Sequence, residues 1–337
     1  MGYTMDYSQE IENAVKNNII SASDIYDFRE SPLENILSLY YAFCRKNLDI
    51  HSANEKITPN IFLINNSTQI NAHATLTPAK FFVISLTLGL LKYCYSNYFE
   101  NLEFHKYFKA HYPETVKMFD NSSNVLAFQI CIQFTYYHEL AHLFQFRIKT
   151  NEIAFNERNN NTIDTPFDRI NHVLEINADT YASISVATHI EQYIRNAFEK
   201  DISYQLTFNT IRMFCCCLLN YSISLTEKNE EVYFEAHTHP HSFIRLLNII
   251  LNISNHIEES TYFKEKNIKI ESTTLFISVI ETYKDLESKN IFSSDFSGII
   301  DKSKGSINKI TDYLYSISQF DTKEYGNAMD VWNKHIP

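Results

Sequence analysis

A chain of 337 residues with only 5 glycines and 7 prolines has few places to reverse direction, and this scarcity constrains its fold more than any other feature. Long helices are favoured because the residues that break them are nearly missing. The same scarcity excludes a Gly-rich dinucleotide fingerprint and a phosphate-cradling loop. With 45% hydrophobic and 20% charged residues the composition is that of a folded globular protein. Its length suits one large or two modest domains.

Patterning along the chain predicts an α+β protein, mostly helical. Residues from about Met5 to Leu48 read as helical, with one helix started at Ser31-Pro32. Short runs at Ile61–Ile64, Ile70–Leu76 and Phe81–Leu86 read as a small antiparallel sheet, and a helix follows from Gly89. Long helices are expected over about 125–146, 167–198 and 204–225, the first two separated by an Asn-rich mobile surface loop, Asn151–Asp164. A charged loop, Thr226–His239, precedes a helix carrying Phe243, Leu246 and Ile250. The expected division is a helical segment 1–55, a catalytic domain 56–255, and a helical extension 256–337 packed on it.

A net charge of -11 with scattered Lys and Arg argues against nucleic acid as a partner and leaves protein or peptide partners open. The six cysteines, Cys44, Cys94, Cys131 and Cys215 to Cys217, contain no C-x-x-C pair and read as buried thiols in a reducing compartment. The first residues lack the basic start and apolar stretch of a secretory signal. Two apolar stretches, Phe81–Leu91 and Met213–Leu225, fall short of the ~20 residues that span a bilayer. No membrane span and a cytoplasmic location are therefore expected.

The chemistry concentrates at His138-Glu139-Leu140-Ala141-His142, an H-E-x-x-H inside an expected helix. Positions i and i+4 share a helix face, so both imidazoles can reach one metal. Glu139 is then placed to take a proton from a water that the metal activates. The competing interpretation is two surface histidines on an amphipathic helix. Zinc needs a third protein ligand and an open fourth position. A third histidine at 148 is ruled out, because Gln145 and Ile148 stand where that pattern needs Gly and His. The following helix offers Glu175 as third ligand, with Asp179 one turn later to hold the N–H of a ligand imidazole, His138 being the expected one. His172 is a competing ligand. The run His237-Thr238-His239-Pro240-His241 offers a donor to an oxyanion, or is simply a capping loop.

The order H-E-x-x-H, then Glu175-Ile176-Asn177-Ala178-Asp179, then Thr238-His239-Pro240 with Arg245, resembles the gluzincin metallopeptidases that include the CAAX prenyl proteases, HtpX and the soluble minigluzincins. Upstream, Asn71-Ala72-His73-Ala74 and Thr87-Leu88-Gly89-Leu90-Leu91 resemble that family's strand and turn, so the likeness spans roughly residues 60 to 250. The resemblance implies a zincin-type fold with an active-site helix, and one Zn2+ per chain on His138, His142 and Glu175. It also implies Glu139 as base, Asp179 as orienting carboxylate, His239 as oxyanion donor, and Arg245 supporting the site through a buried ion pair. Substrate is expected to add to a sheet edge near Asn71 and Ala72, with His237 secondary. The missing membrane spans point to the soluble branch, and the stretch after Arg245 matches nothing in the family. The expected activity is zinc-dependent endoproteolysis. Its rivals are a normally silent or toxin-like peptidase cleaving one host protein, as in phage exclusion of the Lit type, and an inactive binding module on the same scaffold.

Overall fold

The computed structural model describes residues 6–55, 57–119, 122–148, 154–156, 168–199, 201–225, 232–293, 296–303 and 305–318. It is mostly helical with one small sheet. Along the chain run α1 (Tyr7–Lys16), α2 (Glu34–Glu55), β1 (Asn60–Asn65), β2 (Ala72–Leu76), β3 (Phe82–Thr87), α3 (Leu88–Cys94), α4 (Leu102–His111) and α5 (Pro113–Met118). Then follow α6 (Ser123–Ile148), β4 (Ala154–Asn156), α7 (Arg169–Phe198), α8 (Tyr204–Ser224), α9 (Ser242–Glu259), α10 (Thr261–Glu265), α11 (Ser272–Ser288), α12 (Phe296–Ser303) and α13 (Ile307–Ser318). Several of the helices begin where a side chain takes up an orphan amide. Asp168 accepts from the amides of Ile170 and Asn171 at the start of α7, and Ser203 accepts from Leu206 at the start of α8.

Packing groups the described residues of Met1–Tyr93 and His138–Arg158 into one unit, and those of Cys94–Tyr137 and Asn159–Phe320 into another. The first unit holds the sheet, ordered β1-β3-β2-β4. The sheet is mixed and not antiparallel as expected: β1 runs parallel to β3, while β2 is antiparallel to both β3 and β4. A tight reversal makes β2 and β3 antiparallel, with Lys80 N–H donating to the Thr77 carbonyl at 2.8 Å and Lys80 at φ 65°. Because β3 lies between β1 and β2, β1 pairs with it in parallel. Burial agrees, since the central residues of β1 and all of β3 are buried, whereas β2 alternates. On its other side β2 meets β4, with Ala74 opposite Phe155. The Asn71–Leu76 strand is therefore interior, and the edge expected to receive a substrate strand is occupied. Part of the Asn151–Asp164 stretch is strand, and the remainder lies outside the described residues.

The outer edge of β1 is closed by side chains. The Glu10 carboxylate accepts from Phe62 N–H at 2.7 Å, and the Tyr7 hydroxyl accepts from Ile64 N–H at 3.2 Å. Glu10 is itself fully buried, held by Arg45 at 2.7 Å and by the Tyr41 hydroxyl. After β3 the chain turns directly into α3. The Thr87 hydroxyl accepts from Leu90 N–H at 3.1 Å and bonds the Asn71 backbone, while Gly89 N–H donates to the Ser67 carbonyl at 2.9 Å. A Cβ on Gly89 would stand 2.2 Å from the Thr68 carbonyl oxygen.

In the second unit α7 packs on α9, and α8 packs on α9 and α11. All three residues of the Cys215-Cys216-Cys217 run are buried, so this part of α8 is enclosed all round. Burial pushes the Cys215 thiol up to about 12, which suppresses its reactivity. The described helices of the C-terminal stretch belong to the same packing: α11 meets α8 and α9, and α13 meets α7 and α9. Among the described residues no helix is long and apolar enough to cross a membrane.

Gly89→Ala is expected to lower the unfolding free energy by about 1–3 kcal/mol through backbone overpacking, read from chemical denaturation. Gly305→Ala, where an added Cβ meets nothing within 4 Å, is the matched control. Equal stability of the two variants would contradict the close approach of 68–69 to Gly89.

Candidate metal centre

The H-E-x-x-H segment lies in the most enclosed part of α6, where every residue from Ile130 to Phe146 is buried. Two surface histidines on an amphipathic helix are thereby excluded. His138 and His142 lie one turn apart, and their Nε2 atoms are 3.0 Å from each other. Two imidazole nitrogens bound at about 2.0–2.1 Å in a tetrahedral shell sit roughly 3.3 Å apart, so this spacing fits a common metal. His142 Nδ1 is 2.7 Å from the side-chain oxygen of Gln145. That oxygen only accepts, so Nδ1 carries the proton and Nε2 keeps its lone pair. Gln145 was legible in the sequence only as the residue that excludes a third histidine ligand. Its place one turn beyond His142 is the signal that marks it as a partner.

Ligand atoms of His138, His142 and Glu175 lie within 4.8 Å of one another, and all three residues are buried. Two neutral imidazoles and one carboxylate form a donor set that can hold a divalent metal ion. Glu139, next to His138 and completely buried, supplies a further carboxylate.

Asp179 follows Glu175 by one turn of α7. Arg245 of α9 grips it with both arms of its guanidinium, Nε to Oδ2 at 2.8 Å and Nη2 to Oδ1 at 2.7 Å. Both residues are buried, so this bidentate pair fixes α7 against α9 away from water. His239 lies beside Glu175, its Nε2 3.5 Å from Glu175 Oε1 and its Nδ1 2.9 Å from the Thr238 hydroxyl.

The neighbouring histidines have other duties. His241 Nδ1 accepts from Phe243 N–H at 3.1 Å and caps α9, and burial draws its pKa down to about 4. His237 adopts φ 64°, and its carbonyl accepts from His172 Nε2 at 3.1 Å. The other ring nitrogen of His172 meets the Tyr313 hydroxyl, and burial lowers this histidine to about 4. With both nitrogens committed, His172 does not act as a ligand in this geometry. Asn71 and Ala72 are buried at the start of β2, where the Asn71 side-chain oxygen accepts from Ala72 N–H at 2.9 Å.

Arg245→Met leaves the Asp179 charge buried without its guanidinium and should cost about 3–5 kcal/mol. Arg245→Lys should recover only part, because an ammonium cannot make the forked contact. Urea denaturation measures both, and a loss below about 1 kcal/mol for Arg245→Met, the range of an exposed pair, would contradict the buried assignment.

No family model, no curated protein and no solved structure matches this chain.

Proposed function

We propose that this chain is a zinc-dependent metalloendopeptidase with a zincin-type fold, similar to the soluble gluzincins. The observation that carries this is the buried group of His138, His142 and Glu175 with Glu139 adjacent. Two nitrogens and one carboxylate oxygen leave a tetrahedral ion one open position, as a catalytic site requires. When bound, zinc supplies Lewis acidity toward a scissile carbonyl and makes a water a better proton donor.

The chain's own residues do the rest. Glu139 is assigned as base and not as ligand: its carboxylate accepts the proton of the attacking water and passes it to the leaving amine. Gln145 keeps the His142 Nε2 lone pair directed at the metal by holding Nδ1–H. His239, 3.5 Å from Glu175, is assigned to donate to the oxygen that gains charge in the transition state. β2 is paired on both sides, so an added substrate strand there is not retained.

One zinc per chain is expected by elemental analysis of protein purified without chelators. Glu139→Gln should keep that zinc and abolish cleavage of proteins in a matched lysate. Turnover near the wild-type rate would place the base elsewhere, and a wild-type chain that holds zinc but cleaves nothing would favour the binding module. His239→Ala should lower kcat by about 10²–10³ with little change in KM or zinc content. An equal loss carried wholly in KM would assign His239 to substrate binding instead.

A further inference from the structure

The stretch from Tyr233 to His241 carries His239, and it is held from outside at several points. At its start the Phe234 ring meets the Tyr313 ring edge-on at 5.8 Å, and Tyr233 lies 4.2 Å from the His237 ring and 5.0 Å from that of His241. At its end His241 caps α9. Between them His237 holds a left-handed backbone, φ 64°, which a non-glycine residue keeps only when its surroundings enforce it. The His237 carbonyl accepts a hydrogen bond from His172 Nε2 at 3.1 Å.

That bond fixes a proton. A carbonyl oxygen only accepts, so His172 carries its hydrogen on Nε2, and Nδ1 must accept. Its Nδ1 meets the hydroxyl of Tyr313, which donates. The two bonds form a directed chain from Tyr313 on α13, through His172 on α7, to the backbone two residues before His239. We propose that Tyr313 and His172 are positioning residues: Tyr313 sets the tautomer of His172, His172 clamps the His237 carbonyl, and the clamp keeps His239 beside Glu175. This deepens the peptidase assignment and rests on it for its catalytic consequence. It gives the helices after Arg245 a role, because α13 supplies the hydroxyl that completes the latch.

Loss of the tyrosine hydroxyl leaves Nδ1 without its donor and lets the imidazole shift its proton to Nδ1, which releases the His237 carbonyl. Loss of the imidazole releases it directly. Glutamine in place of His172 keeps an N–H donor near the Nε2 position and should restore the clamp. The test is amide hydrogen exchange across 232–241 together with the side-chain NMR signal of His239, on full-length metal-free and zinc-loaded protein. Tyr313→Phe and His172→Leu should speed exchange at Thr238 and His239 by about three- to tenfold, the loss of one ordinary hydrogen bond. They should also move the His239 ring resonances. The amides of α7 and α9 should stay as in the wild type, and His172→Gln should stay within about twofold of it.

Unchanged loop exchange and unchanged His239 resonances in folded Tyr313→Phe would overturn the latch. So would a His172→Gln variant as mobile as His172→Leu. If His172→Leu does not fold, Tyr313→Phe and His172→Gln decide alone. Failure of the peptidase assignment would appear separately, as a wild-type chain without zinc or hydrolysis, and would leave the exchange result standing.

Discussion

The bidentate ion pair between Asp179 and Arg245 ties the helix that carries Glu175 to the helix that the histidine loop runs into. Asp179 lies one turn beyond Glu175 on α7, and Arg245 lies in the first turns of α9, so the fork ties the Glu175 segment of α7 to the start of α9. His239, 3.5 Å from Glu175, lies just before the start of α9. A buried pair of this kind contributes little net stability over a hydrophobic substitute, yet breaking it is costly, and its strength is geometric. It permits one arrangement of the two helices and penalises others.

The same logic recurs wherever this chain buries polar groups. The enclosed stretch of α6 contains Gln133, Thr135, His142 and Gln145 as well as the apolar residues around them. Each has a partner: Gln133 donates to the Tyr193 hydroxyl, Thr135 bonds the Tyr221 hydroxyl, and His142 bonds Gln145. Glu10 closes the edge of β1 only because Arg45 and Tyr41 accompany it inside. A polar group without such company costs more than an ordinary hydrogen bond returns. The buried imidazoles of His138 and His142 and the carboxylate of Glu175 would meet that requirement by sharing one metal ion.

Much of this was legible in the sequence. Scarce glycine and proline announced long helices, and α6, α7 and α8 end within a few residues of the expected limits. The spacing of His138, His142 and Glu175 announced a group able to share one ion, because helical periodicity is local and reliable. Strand pairing is not local. The apolar run Ile61-Phe62-Leu63-Ile64 was a sign of a strand covered on both faces, which parallel pairing favours, but its partner is decided by the path of 66–71. The short strand β4 sits in a stretch whose polarity suggested a loop, and it forms because β2 offers an edge. The histidine run resolved into separate duties for each ring, a cap at His241, a strained backbone at His237 and proximity to Glu175 at His239. Spacing alone could not separate them, since the duties depend on which distant groups approach.

The most direct measurement of the central claim is zinc-edge X-ray absorption on the zinc-loaded chain. The account predicts a first shell of nitrogen and oxygen at about 2.0–2.1 Å with two imidazole signatures and no sulfur. Glu175→Gln should change this shell and Glu139→Gln should leave it intact. A shell containing sulfur, four imidazoles, or a spectrum that Glu139→Gln alters and Glu175→Gln does not would contradict it.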